Sequence, residues 1–214
     1  MSLRPMHRVS RARAALLASL LTLLGACASA PGIPETTWHR LPAASASVPL
    51  TDTSELPIVV QQLEADGLHA DQALLYALDA SGQRLRAYHY NLWVDPPGYL
   101  LQRRTIARLR AAGASARVTD QLSSREPALW VSGRIERFER VPRAGGGYEA
   151  QVGLRLRVAR YDGGEPLVER EYAATVAASD DRLATSVQAL GAATDQALDA
   201  FLIDLGRALA EATP

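Results

Sequence analysis

The 214-residue chain contains no lysine, one cysteine, two phenylalanines and two methionines. A single cysteine excludes any intramolecular disulfide, even in an oxidising compartment, so the fold must rest on its apolar core. All 23 cations are arginine, which reads first as composition bias and second as a capacity for bidentate pairing. The charge balance shows no basic stripe and gives no support for nucleic-acid binding. The four histidines, His7, His39, His69 and His89, never approach metal-ligand spacing, so no metal is expected. A Gly-x-Ser-x-Gly elbow, a Walker loop and a dinucleotide fingerprint are all missing, and no cofactor is expected. The nearest Ser-Gly, Ser81-Gly82, is explained by turn geometry. The chain therefore reads as a non-enzyme.

What is present begins with a leader. Arg4, Arg8, Arg11 and Arg13 precede a run from Ala14 to Leu24 that is apolar but for Ser19 and Thr22. A basic region, a short apolar run and small residues at the end make a signal peptide over residues 1–26. The apolar run is too short for a membrane span, which needs about 20 residues. Leu24-Gly25-Ala26-Cys27 closes it and resembles the bacterial lipobox. The resemblance implies cleavage between Ala26 and Cys27 and acylation of Cys27. Two or more acyl chains hold a protein on a membrane stably, where one does so only marginally. An ordinary secretory signal that leaves a free thiol is the rival reading. Without residues 1–26 the chain has 19 arginines against 23 acids.

Residues 27–55 are rich in Ala, Ser, Pro and Thr and read as an acylated N-terminus and flexible tether, with a short strand at Thr37–Leu41. A single α+β domain is expected over 56–212. Ile58, Val59 and Val60 read as a buried strand, and Ala73–Leu78 and Arg84–Leu92 as a β-hairpin around Asp79–Gln83. The second hairpin strand places Arg86, Tyr88, Tyr90 and Leu92 on one face.

Asp95-Pro96-Pro97-Gly98 is a helix-start pattern with Asp95 as N-cap, and Gly113 is the expected stop. Leu101, Ile106 and Leu109 form the apolar stripe of this helix; Arg103, Arg104, Arg108 and Arg110 read as a solvated face. Three alternating strands follow, centred on Leu129–Ile135, Ala150–Val158 and Val168–Val176, and pair as an antiparallel meander. Trp130 and Phe138 fall on the less apolar side of their strand. A long helix from about Asp180 carries Leu183, Val187, Leu190, Leu198, Phe201, Leu205 and Leu209 on one face, either as core or as a partner-binding stripe. The expected fold is α+β: a mixed, mostly antiparallel sheet with a three-strand meander, covered on one face by two helices.

The pattern Tyr88-x-Tyr90-x-x-Trp93-x-x-Pro96-Pro97, followed by Leu100-Leu101 and an arginine-studded helix, resembles the ABC-type transport auxiliary lipoproteins. These accompany mammalian-cell-entry (MCE) lipid transporters, including the paraquat-inducible system. The resemblance runs through lipobox, tether, Trp38–Leu41 strand, Trp-x-x-Pro segment, meander and final helix. At Leu63–Leu68 the chain departs from the better-known members, which carry Leu-Pro-x-Tyr-Leu-Asp there. The resemblance implies a non-enzymatic outer-membrane lipoprotein on the periplasmic face. Its partners would be an MCE-domain protein and an ABC permease and ATPase, with a homo-oligomer open. Tyr88, Tyr90, Trp93, Pro96 and Pro97 are candidate partner contacts; the other reading of Trp93 is an indole that packs the strand-to-helix corner. The rival functions are an envelope-assembly adaptor unrelated to MCE transport and a membrane-tethered hydrolase.

Overall fold

The structure is a computed structural model that describes residues 34–123, 126–161 and 163–212. The signal peptide, the Ala26–Cys27 cleavage and the lipidation of Cys27 lie outside the described residues. In chain order the elements are β1 (Thr37–His39), β2 (Ile58–Val60), a 3₁₀ turn (Gly67–Ala70), β3 (Ala73–Ala77), β4 (Leu85–Trp93) and α1 (Pro97–Ala111). They continue with β5 (Val118–Thr119), β6 (Leu129–Pro142), β7 (Tyr148–Arg160), β8 (Val168–Ala177) and α2 (Leu183–Ala212). This is the expected α+β class, with one mixed, mostly antiparallel open sheet and two helices.

β6 is the axis of the sheet. Along one edge it pairs antiparallel with β7, from Leu129↔Arg160 to Pro142↔Tyr148, and β7 pairs antiparallel with β8. Its other edge is shared. The start of β6 takes β2 in parallel (Ile58↔Leu129) and its end takes β3 in parallel (Leu75↔Glu139). β5 extends the sheet beside β2, and β4 and then β1 extend it beside β3.

The helices cover one face. Alternation along β7 sends Ala150, Val152, Leu154, Leu156 and Val158 into the core beneath α2, where Val187, Leu190, Leu198, Phe201, Leu205 and Leu209 meet them. The α2 stripe is core. The opposite face of the meander carries charge, with Arg157–Glu169 at 3.2 Å, Arg155–Glu136 at 3.3 Å and Arg134–Glu64 at 3.0 Å.

The structure corrects the expected face of Phe138. The register of β6 slips between Ile135 and Arg137, a bulge that inserts one extra residue and reverses which side chains face the core. Leu129, Val131 and Ile135 point inward before it, Phe138 after it, and Phe138 is buried. Trp130, ahead of the bulge, stays on the outer side, its ring 5.4 Å from that of Tyr161.

α1 starts as its prolines dictate, with Pro97 inside the first turn, but the N-cap is Pro96 rather than Asp95 and makes no side-chain cap bond. Asp95 instead pairs with Arg103. The helix ends as expected. Gly113 has φ +66°, and Ala114 N–H closes back onto Leu109 O at 3.0 Å.

Candidate functional site: an arginine clamp and an aromatic ledge

The folded unit begins at Thr36, twenty residues before the expected boundary. Residues 40–54 form a strap across the helices, and its reason lies in the arginines of α1. Irregular backbone offers bare carbonyls that need donors, and a guanidinium presents five of them. Arg104 Nη1 donates to Pro42 O, and its Nη2 reaches Ala43 O at 3.4 Å. Arg108 Nη1 donates to Ser45 O at 2.6 Å and Ser45 Oγ at 3.0 Å. From α2, Asp195 Oδ2 accepts both the backbone N–H and the hydroxyl of Ser45 at 2.8 Å. Further along, Leu50 N–H donates to Ala112 O and Ser54 N–H to Ala114 O, both at 2.8 Å.

Two of the four arginines expected on a solvated face are therefore interior. Arg104 is 7% and Arg108 1% exposed. Each is neutralised from α2, Arg104 by Asp195 and Arg108 by Asp199. Burial pushes the Arg108 guanidinium pKa down, and the Asp195 charge opposes that shift. Arg103 and Arg110 remain on the surface. The strap closes over the helix pair at Gly191, where a Cβ would come within 2.8 Å of Pro42 Cδ; only glycine admits so close a backbone approach.

The expected contact residues divide. Trp93 is 1% exposed, and its ring lies 5.3 Å from that of Phe138, so the indole packs the corner between β4 and α1. Pro97 is buried beside it and Pro96 half-buried. Tyr88 lies half-buried against the core. Its ring is 4.5 Å from that of Tyr76, and its hydroxyl accepts Arg140 Nη1 at 2.8 Å. Arg140 itself is buried, stacks 3.3 Å over Tyr148 and donates to Asp181 O at 2.6 Å. Tyr90 alone of the five is open, at 41%.

Sequence reasoning missed Trp38. β1 pairs with β4 in the register Trp38↔Leu92, so Trp38, 52% exposed, shares a face with Leu92. The aromatic-x-x-Leu strand at Trp38 was the available signal, but it sat inside a stretch read as tether. Beyond the end of β4 this ledge leads to a cavity of about 350 Å³ lined by apolar Leu41, Val94 and Leu100 and by Arg40, Asp95, Arg103 and Arg104.

Among the described residues, no cluster of three or more His, Cys, Asp or Glu could hold a metal ion. Of the described helices, none is long and apolar enough to cross a membrane.

Fold and clamp together define a mixed α+β domain whose N-terminal segment is built into its helix layer. The model of the ABC-type transport auxiliary lipoprotein component family matches residues 39–201, and the chain belongs to that family. The match opens at the last residue of β1 and takes in the strap, β4 and most of α2. A crystal structure of a Xanthomonas campestris protein superposes with a TM-score of 0.64 at 16% identity, over 78% of this chain and 92% of that one. The crystal structure of an uncharacterised protein does so with a TM-score of 0.60 at 16% identity, over 78% and 97%. At that identity the likeness is one of fold. No curated protein sequence matches the chain.

Proposed function

We propose that the chain is an outer-membrane lipoprotein, anchored through acylated Cys27 on the periplasmic face, that serves as non-enzymatic auxiliary subunit of an MCE-type ABC lipid transport system. The observation that carries this reading is the family match, which spans the folded domain from β1 into α2. The lipobox pattern at Leu24–Cys27 supports the anchor, and Ala28 after the cysteine, in place of the Asp that marks inner-membrane retention in enterobacteria, supports the outer membrane. Within this reading Tyr90 offers a protein contact on its exposed face, while Trp93 and Pro97 are buried and Tyr88 and Pro96 half-buried.

The test is affinity purification of the acylated chain from envelope extracts made in mild detergent. Recovery of an MCE-domain protein with its permease and ATPase is expected, and Tyr90→Ala should lower that recovery. Recovery of a β-barrel or cell-wall assembly factor without any MCE protein would overturn the transport role. Mass spectrometry of the mature N-terminus tests the anchor independently, and an unmodified Cys27 would overturn it.

A further inference from the structure

The ledge at the end of β4 has a composition that the core does not explain. Trp38 stands beside Leu92 on the paired strands β1 and β4, about half exposed. Arg40 continues the Trp38 side two residues on, and the chain past β1 still follows β4 there, with Val94 N–H donating to His39 O at 3.0 Å. At the base of the ledge the 350 Å³ cavity has an apolar floor of Leu41, Ala44, Val94, Leu100 and Ala107 and a rim of Arg40, Asp95, Arg103 and Arg104.

The charges at this rim do not cancel. Arg104 is neutralised from behind by Asp195, and Arg103 by Asp95. Among the described residues no carboxylate pairs with Arg40, which is exposed. The cavity therefore has a surplus positive charge over an apolar floor, with amphipathic rings alongside. Exposed Tyr99 begins the outer stripe of α1 that continues to Arg103. Trp and Tyr suit a boundary where one side is apolar and the other wet, and arginine forks match phosphate geometry.

Chain length indicates which boundary. Twelve residues lie between Cys27 and Arg40, a span of at most about 45 Å when fully extended. We propose that this ledge seats the domain on the bilayer that holds its anchor: Trp38 and Tyr99 enter the headgroup layer, and Arg40 with Arg103 takes a lipid phosphate at the cavity mouth. The inference rests on the lipid-anchor reading above and adds a second, non-covalent membrane contact to it.

The probe is the mature chain carrying Cys27→Ser, so that no acyl chain contributes. It is sedimented with vesicles of phosphatidylglycerol and phosphatidylcholine in equal parts, and with phosphatidylcholine alone. Binding to the anionic vesicles is expected, falling as salt is raised. Arg40→Glu and Arg103→Glu should each weaken it at least about fivefold, since a single basic side chain near an anionic surface contributes on that order. Arg155→Glu, on the charged outer face of the sheet, should leave it unchanged. A blue shift of tryptophan emission on binding should vanish in Trp38→Phe.

Equal binding by the Arg40 and Arg103 variants would overturn the proposal. So would absence of binding to either vesicle, and capture of a protein partner through Arg40 in that circumstance would reassign the ledge to a protein interface. Acylation of Cys27 is read separately by mass, so failure of the anchor and failure of the ledge are distinguishable.

Discussion

Arg104 of α1 and Asp195 of α2 are joined by two hydrogen bonds, Nε to Oδ1 at 2.7 Å and Nη2 to Oδ2 at 2.9 Å, with both side chains 7% exposed. The pair joins the helices and holds the strap at the same time, because Asp195 Oδ2 also accepts both donors of Ser45. Removing one member leaves an uncompensated buried charge, which costs about 3–5 kcal/mol. Asp195→Ala should lower the urea unfolding free energy by that order. It should also open residues 40–54 to limited proteolysis under conditions where α2 stays protected. An unchanged urea midpoint would mean that the pair is not buried as described.

At Gly191 two effects compete. Alanine in a helix interior is favoured over glycine by up to about 1 kcal/mol. Here its Cβ would meet the Pro42 ring, and overpacking of that kind costs about 1–3 kcal/mol. Gly191→Ala should therefore be net destabilising by roughly 1 kcal/mol. The amide of Ser45 should exchange faster with solvent. Stabilisation of the kind usual for Gly→Ala in a helix would show that Pro42 does not sit against α2.

Trp93 and Tyr90 lie three residues apart on one strand and should behave oppositely. Trp93→Ala empties a buried site against Phe138 and should cost about 3–5 kcal/mol, seen as a lower denaturant midpoint. Tyr90→Ala should change stability by about 0.5 kcal/mol or less, as surface substitutions usually do. Its effect belongs in binding measurements.

Asp180, just before α2, accepts the side chain of Arg182, the hydroxyl of Thr185 and the Arg182 backbone N–H. In that order of weight they hold its carboxyl pKa at about 2, against an ordinary 3.8. The native state thus binds a proton there less readily than the unfolded chain. The stabilising contribution is complete above pH 3.8 and is lost as pH falls toward about 2. Thermal midpoints followed from roughly pH 5 to pH 2 should fall less steeply in Asp180→Asn than in the wild type. Parallel slopes would remove Asp180 from the acid response.

Much of the fold was legible because its signals are local. Period-two alternation marked β7, glycines marked the meander turns, and the step of three or four along α2 marked its buried side. The Phe138 face was not legible, since an alternation count across β6 assumes unbroken pairing and the slip at Arg137↔Gly153 exists only against a partner strand. Tyr90 was visible as an exposed candidate. Trp38 was not, because its place beside Leu92 depends on a pairing across more than fifty residues.

By itself the sequence determined the class of fold, the order of helices and strands and the Gly113 stop, all of which follow from neighbours along the chain. Only the tertiary structure decided that Arg104 and Arg108 are interior. A guanidinium on a helix is solvated unless a carboxylate meets it, and the two that do, Asp195 and Asp199, stand ninety-one residues away on another helix. The same long-range meeting made a strap of residues that composition alone describes as a tether.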